Sequence, residues 1–149
     1  MLNEKNIFLN LDVYTKQDVL KFIANKACEI DICEDEKGIL SDLNKREEEF
    51  STGIKDGFAI PHAKSEYVKT PTILFLKTKN GIEWGTMDDK EVNYIFALLV
   101  PKENEDNIHL KMISKLTVCL LEDEFKEFIK NCNDEKQLKD YILKNMEVE

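Results

Sequence analysis

The chain has 149 residues, a common size for one domain, and a chain this long buries roughly 70% of its unfolded surface, enough for a core without staples. Its 42% hydrophobic and 34% charged residues describe an ordinary globule, neither disordered nor fibrous. A net charge of −9 repels nucleic acid and anionic membrane surfaces; it suits a basic protein partner, or serves solubility alone.

No apolar stretch of signal-peptide type follows the opening Met1-Leu2-Asn3-Glu4-Lys5, and the apolar run Tyr94 to Val100 is too short to cross a bilayer. A cytoplasmic domain without membrane insertion is therefore expected. The four cysteines, Cys28, Cys33, Cys119 and Cys132, have neither Cys-x-x-Cys nor finger spacing and read as reduced thiols packed mostly into helix faces.

Asn6 to Leu11 alternates weakly, as in a short strand. Thr15 reads as an N-cap before Val19, Leu20, Phe22, Ile23, Ala27 and Ile30, which recur at helical spacing. A second helix is expected from Asp35, with Ile39, Leu40 and Leu43 inward, running out near Glu48. Arg46 then falls in its last turn, where a cation complements the helix dipole, and Glu47-Glu48-Glu49 forms a solvated end. Asp56-Gly57 signals a turn before the short apolar run Phe58-Ala59-Ile60, which Pro61 ends or places at a sheet edge. His62 is thus expected just past a strand, in a loop.

Thr72 to Thr78 is a second strand candidate, with Gly81 to Trp84 as a brief extension before an Asp88-Asp89-Lys90 turn. Val92 to Val100 reads as a central buried strand stopped by Pro101. A polar loop, Lys102 to Asn107, precedes a helix with His109, Ile113, Leu116 and Leu120 on one face and Leu110, Thr117 and Leu121 beside them. Amphipathic pieces at Phe125 to Ile129 and Leu138 to Leu143 complete the chain. Interleaved strands and helices without a linker predict one α/β domain over residues 1–149, a sandwich whose mixed β-sheet is flanked by helices.

Chemistry concentrates between Arg46, the chain's only arginine, and His62, the first of its two histidines. A neutral imidazole presents a lone pair that attacks phosphorus, and the resulting phosphoramidate is labile enough to pass the group on. Phosphoryl transfer needs mainly positioning and charge stabilisation, for which a planar, permanently charged guanidinium is suited. Ser51 and Thr52 add hydroxyl donors and Gly53 a tight backbone, so these residues read as phosphate-stabilising. His109 either orients His62 and the phosphate or is a satisfied core histidine. This chemistry calls for no metal and no cofactor. The bland alternative is that His62 packs at the surface and Ser51-Thr52-Gly53 only turns the chain.

Arg46-Glu47-Glu48, Ser51-Thr52-Gly53-Ile54 and Gly57-Phe58-Ala59-Ile60-Pro61-His62 together resemble the enzyme IIA domain of the sugar phosphotransferase system, fructose/mannitol class. His109-Leu110 opening a helix after a strand ending in Pro101 is a second matching block. Gly81-Ile82-Glu83-Trp84 before Asp88 looks most like fructose-type members. The resemblance implies a phosphocarrier: His62 takes a phosphoryl group from phosphorylated HPr and gives it to a IIB domain. It also implies that Arg46 stabilises the phosphohistidine and that His109 stands beside it. Two departures touch turns: Lys55 replaces a frequent glycine, and Asp89 replaces the common glycine after Asp88. The runner-up is a nitrogen-type regulatory IIA module whose phosphorylation state controls a partner. A metal-dependent hydrolase built on His62 and His109 lacks a carboxylate at ligand spacing.

Overall fold

The computed structural model describes residues 2–103 and 107–146, so Met1 and part of the expected Lys102 to Asn107 loop lie outside the described residues. At the centre of the sheet, β4 (Thr72–Ile82) and β5 (Val92–Pro101) pair antiparallel, with Leu74 opposite Ala97 and Phe75 opposite Phe96. β1 (Ile7–Leu11) runs parallel to β4 on one side. On the other side β2 (Phe58–Ala59) and β3 (His62–Ser65) both run parallel to β5. The sheet is therefore mixed, with order β1-β4-β5-β2 and β3 continuing the β2 edge.

Period-two alternation along β4 and β5 serves two cores. Leu74, Leu76, Ile95, Ala97 and Leu99 pack with Val19, Leu20 and Ile23 of α1 (Lys16–Glu29) and Ile39 and Leu43 of α2 (Glu36–Glu49). Ile73, Phe75, Phe96, Leu98 and Val100 face the opposite layer. There they meet Met112 and Leu116 of α3 (Ile108–Cys119), Phe125 and Ile129 of α4 (Asp123–Asn131), and Leu138 and Ile142 of α5 (Glu135–Met146). Helices on both faces of a mixed sheet match the α/β sandwich expected from the sequence.

The helix starts follow local chemistry. Thr15 and Asp18 form a capping box, the Thr15 hydroxyl accepting from the Asp18 N–H at 3.0 Å while Asp18 accepts from the Thr15 N–H at 3.2 Å. Asp35 caps α2 through the Gly38 N–H at 3.1 Å. The flank of α3 differs from the expected stripe: Leu120, its C-cap, is buried, but Leu110 in its first turn is 64% exposed and Leu121 past its end 67%.

His62 departs from expectation too. It opens β3 instead of lying in a loop, and the pairing of β2 and β3 with β5 keeps the same offset on both sides of Pro61. The Pro61 carbonyl accepts the Leu98 N–H at 3.0 Å, so the ladder tolerates the proline at this edge. Gly81 and Ile82, read as a separate extension, belong to β4. All four cysteines are free thiols; Cys33 lies between α1 and α2, bridged to Val68, and not on a helix face.

Candidate functional site

The last turn of α2 places Arg46 at the sheet edge where β3 begins. Arg46 Nη1 donates to the Phe50 carbonyl at 2.7 Å, folding the guanidinium back on the chain as it leaves the helix. Arg46 Nε is then 2.9 Å from His62 Nε2. The other ring nitrogen, His62 Nδ1, is 2.7 Å from the Ile60 carbonyl. A carbonyl only accepts and the Arg46 N–H only donates, so Nδ1 carries the proton and Nε2 holds the lone pair. His62 is a neutral imidazole with its nucleophilic nitrogen aimed at the guanidinium.

His109, in the first turn of α3, brings its ring centre to 5.3 Å from that of His62, the planes inclined at 52°. Its Nδ1 is the one buried side-chain polar atom without a hydrogen-bond partner among the described residues. Burial pushes the pKa of His62 below the ordinary 6.5; the Ile60 hydrogen bond works the other way, and the Arg46 charge adds to the lowering. Burial, joined by His62, Lys64 and Arg46, pushes His109 down to about 4. Two neutral imidazoles beside a fixed cation make a receptacle for an anion.

Arg46, His62 and His109 thus come together as the sequence suggested. Ser51 and Thr52 have their hydroxyl hydrogens committed elsewhere. Ser51 donates to the Trp84 carbonyl at 3.1 Å and accepts from the Gly53 N–H at 3.1 Å. Thr52 donates its hydroxyl to Glu47 Oε1 and accepts from Trp84 Nε1 at 3.1 Å. Gly53 is needed for close approach, since a Cβ there would sit 2.9 Å from Trp84 Cδ1 and 2.9 Å from Thr86 Cγ2.

The sequence reading missed Glu47. Its side chain is only 7% exposed and pairs with Lys16 Nζ at 2.6 Å, whereas a solvated helix end was expected. Its place in the Arg46-Glu47-Glu48 segment was the available signal, but its partners lie on other elements. The two departures from the family pattern are accommodated locally. The left-handed turn falls on Asp56 (φ 59°) and Gly57 (φ 88°), while Asp89 itself adopts φ 60°, a region aspartate tolerates. Among the described residues, no three His, Cys, Asp or Glu side chains are grouped to hold a metal ion.

With this geometry in view, residues 1–145 match the family described as phosphoenolpyruvate-dependent sugar phosphotransferase system, EIIA 2. The chain belongs to that family. A fructose-specific EIIA component of Haloferax volcanii is 30% identical over 133 residues, 89% of this chain and 86% of that protein. The fructose-specific EIIABC component of Bacillus subtilis is 28% identical over 95% of this chain, which spans only 22% of that longer protein. The nitrogen regulatory protein IIA-Ntr of Neisseria meningitidis superposes with a TM-score of 0.86 at 27% identity, covering 94% of each chain. This EIIA chain has no helix among its described residues long and apolar enough to cross a membrane.

Proposed function

We propose that His62 is the phosphorylated residue of a cytoplasmic phosphocarrier domain that receives its phosphoryl group from phosphorylated HPr and passes it to a IIB domain in fructose-class sugar uptake. The observation carrying this reading is the Nδ1–H tautomer of His62, with Nε2 free of its own proton and 2.9 Å from Arg46 Nε. In the transfer, the Nε2 lone pair forms an N–P bond as the donor's bond to phosphorus breaks. Nδ1 keeps its proton on the Ile60 carbonyl, which compensates the positive charge arising on the ring. Arg46 moves its N–H from the ring nitrogen to phosphoryl oxygens, and His109 supplies a further contact. Delivery to the acceptor reverses these steps.

A fructose-class role is supported by the Haloferax volcanii relative's name. A IIB acceptor is supported by the Bacillus subtilis component, whose name joins A, B and C parts in one protein. The alternative, a nitrogen-type regulatory module, is favoured by the 0.86 TM-score with IIA-Ntr.

The deciding experiment incubates the protein with phosphoenolpyruvate, enzyme I and HPr, followed by mass spectrometry. One acid-labile phosphate is expected on the wild type and on His109→Ala, and none on His62→Ala. An unphosphorylated wild type refutes the carrier. Onward transfer to a fructose-class IIB domain then separates transport from regulation.

A further inference from the structure

The carrier chemistry uses His62, Arg46 and His109 and leaves a buried carboxylate at the edge of the site unexplained. Glu47 sits beside Arg46 on α2, and its charge is taken up by Lys16 at 2.6 Å. The pair is only half-buried on the Lys16 side, 25% exposed against 7% for Glu47, and desolvation offsets much of its attraction, so holding one local arrangement is the role to look for. The geometry shows what would be specified.

Glu47 accepts both the N–H of Thr52, at 3.2 Å, and the Thr52 hydroxyl. Thr52 is 3% exposed and is clamped from its other side by Trp84 Nε1 at 3.1 Å. Lys16 closes the ring by donating to the Trp84 carbonyl at 3.1 Å. The carbonyl of the same Thr52 accepts the Ile60 N–H at 3.0 Å, and the Ile60 carbonyl meets His62 Nδ1 at 2.7 Å. Pro61 restricts Ile60 to extended backbone, so fixing the Ile60 N–H also fixes the direction of its carbonyl. Hydrogen bonds thus join Glu47 to Thr52, Thr52 to Ile60 and Ile60 to His62.

We propose that Glu47 is a positioning residue for His62: through Thr52 and Ile60 it aims the Ile60 carbonyl that keeps the proton on Nδ1 and the lone pair on Nε2. The inference rests on the phosphocarrier reading for its purpose, but not for its structural readout. Lys16 and Trp84 belong to the same clamp, drawing α1 and the segment after β4 into the alignment of His62.

The test measures the His62 ring tautomer by 15N NMR of the unphosphorylated protein, together with kcat and KM for phosphorylation by phospho-HPr. Wild type is expected to show the Nδ1–H form alone. Glu47→Ala and Thr52→Val should show mixed tautomers and a kcat lower by about 10- to 100-fold, the scale of misplacing a reacting group by around an ångström. KM for the donor should stay within about twofold, since docking is untouched. Thr52→Ser, which keeps the hydroxyl, should restore both readouts. Retention of the pure Nδ1–H tautomer with kcat within about twofold of wild type, in Glu47→Ala and Thr52→Val alike, overturns the proposal. If Glu47→Ala does not fold, the Thr52→Val and Thr52→Ser pair decides alone. A wild type that takes up no phosphate sinks the carrier reading, while the tautomer measurement still judges Glu47.

Discussion

The two histidines stand 5.3 Å apart between ring centres, yet they are built in opposite ways. His62 opens a β-strand, is 7% exposed, and has both ring nitrogens engaged, one by a backbone carbonyl and one by Arg46. His109 rides the first turn of α3, which starts from Asn107 in a left-handed conformation without a side-chain cap, and its Nδ1 has no partner. One side of the site is fixed before any ligand arrives, and the other keeps hydrogen-bonding capacity in reserve. Under the proposed carrier role, that division would preorganise His62 so that little reorganisation accompanies bond formation, and leave the capacity of His109 for the incoming group.

The contrast makes the pinned side the more sensitive to change. Arg46→Lys should lower the rate of transfer from phospho-HPr by about 100-fold, because a lysine ammonium lacks the planar fork that spans the Phe50 carbonyl and a phosphoryl oxygen. Rapid-quench phosphorylation measures this, and a loss under threefold would remove Arg46 from the transition state. Gly53→Ala should destabilise the fold by about 1–3 kcal/mol in urea titration, since the new Cβ collides with Trp84 and Thr86. His109→Gln should lower the transfer rate by only about 10-fold, the value of one hydrogen bond to a charged group, with phosphate still found on His62. Equal losses from Arg46→Lys and His109→Gln would dissolve the distinction between the two sides.

The pH dependence is a milder probe of the same contrast. Both folded-state histidine pKa values lie below 6.5, the one at His109 at about 4. Below the unfolded value of about 6.5 the unfolded chain takes up protons that the folded chain refuses. The stability they support is therefore full above that pH, falls as the solution is acidified, and stops falling beneath about 4 for His109. Thermal melts should show the wild type losing more between neutral and mildly acid pH than His109→Gln does; identical slopes would place the depressed pKa elsewhere. The smallest effect expected is on encounter. With a net charge of −9, transfer from a basic HPr face should slow a few-fold as salt rises, and a salt-independent rate would argue against electrostatic steering.

Much of this was legible in the linear chain, and for local reasons. Thr15 and Asp18 lie three residues apart and cap α1 with atoms of their own turn. The Val92–Val100 run has too few polar residues to lie anywhere but in a central strand, and β5 occupies it. The run from Arg46 to His62 carried enough pattern to name the family, which the match over residues 1–145 bears out. Glu47 was misread for the converse reason. Three adjacent glutamates at a helix end look solvated, and nothing nearby in sequence shows that Lys16 will arrive from α1 to neutralise one of them. Ser51 and Thr52 were read as phosphate donors because a hydroxyl's partner, here Glu47 or the Trp84 carbonyl, is invisible until the loop is folded.

The helices, the buried strand and the turn before His62 follow from short-range rules: capping, hydrophobic period, and the limits that glycine and proline place on the backbone. Which nitrogen of His62 holds the lone pair does not. It depends on the Ile60 carbonyl at one ring nitrogen and on an arginine delivered by a different element at the other. Those partners meet only when α2 closes on the sheet. A ring's protonation pattern is set by which donors and acceptors surround it once water has been excluded, and that environment is made by packing.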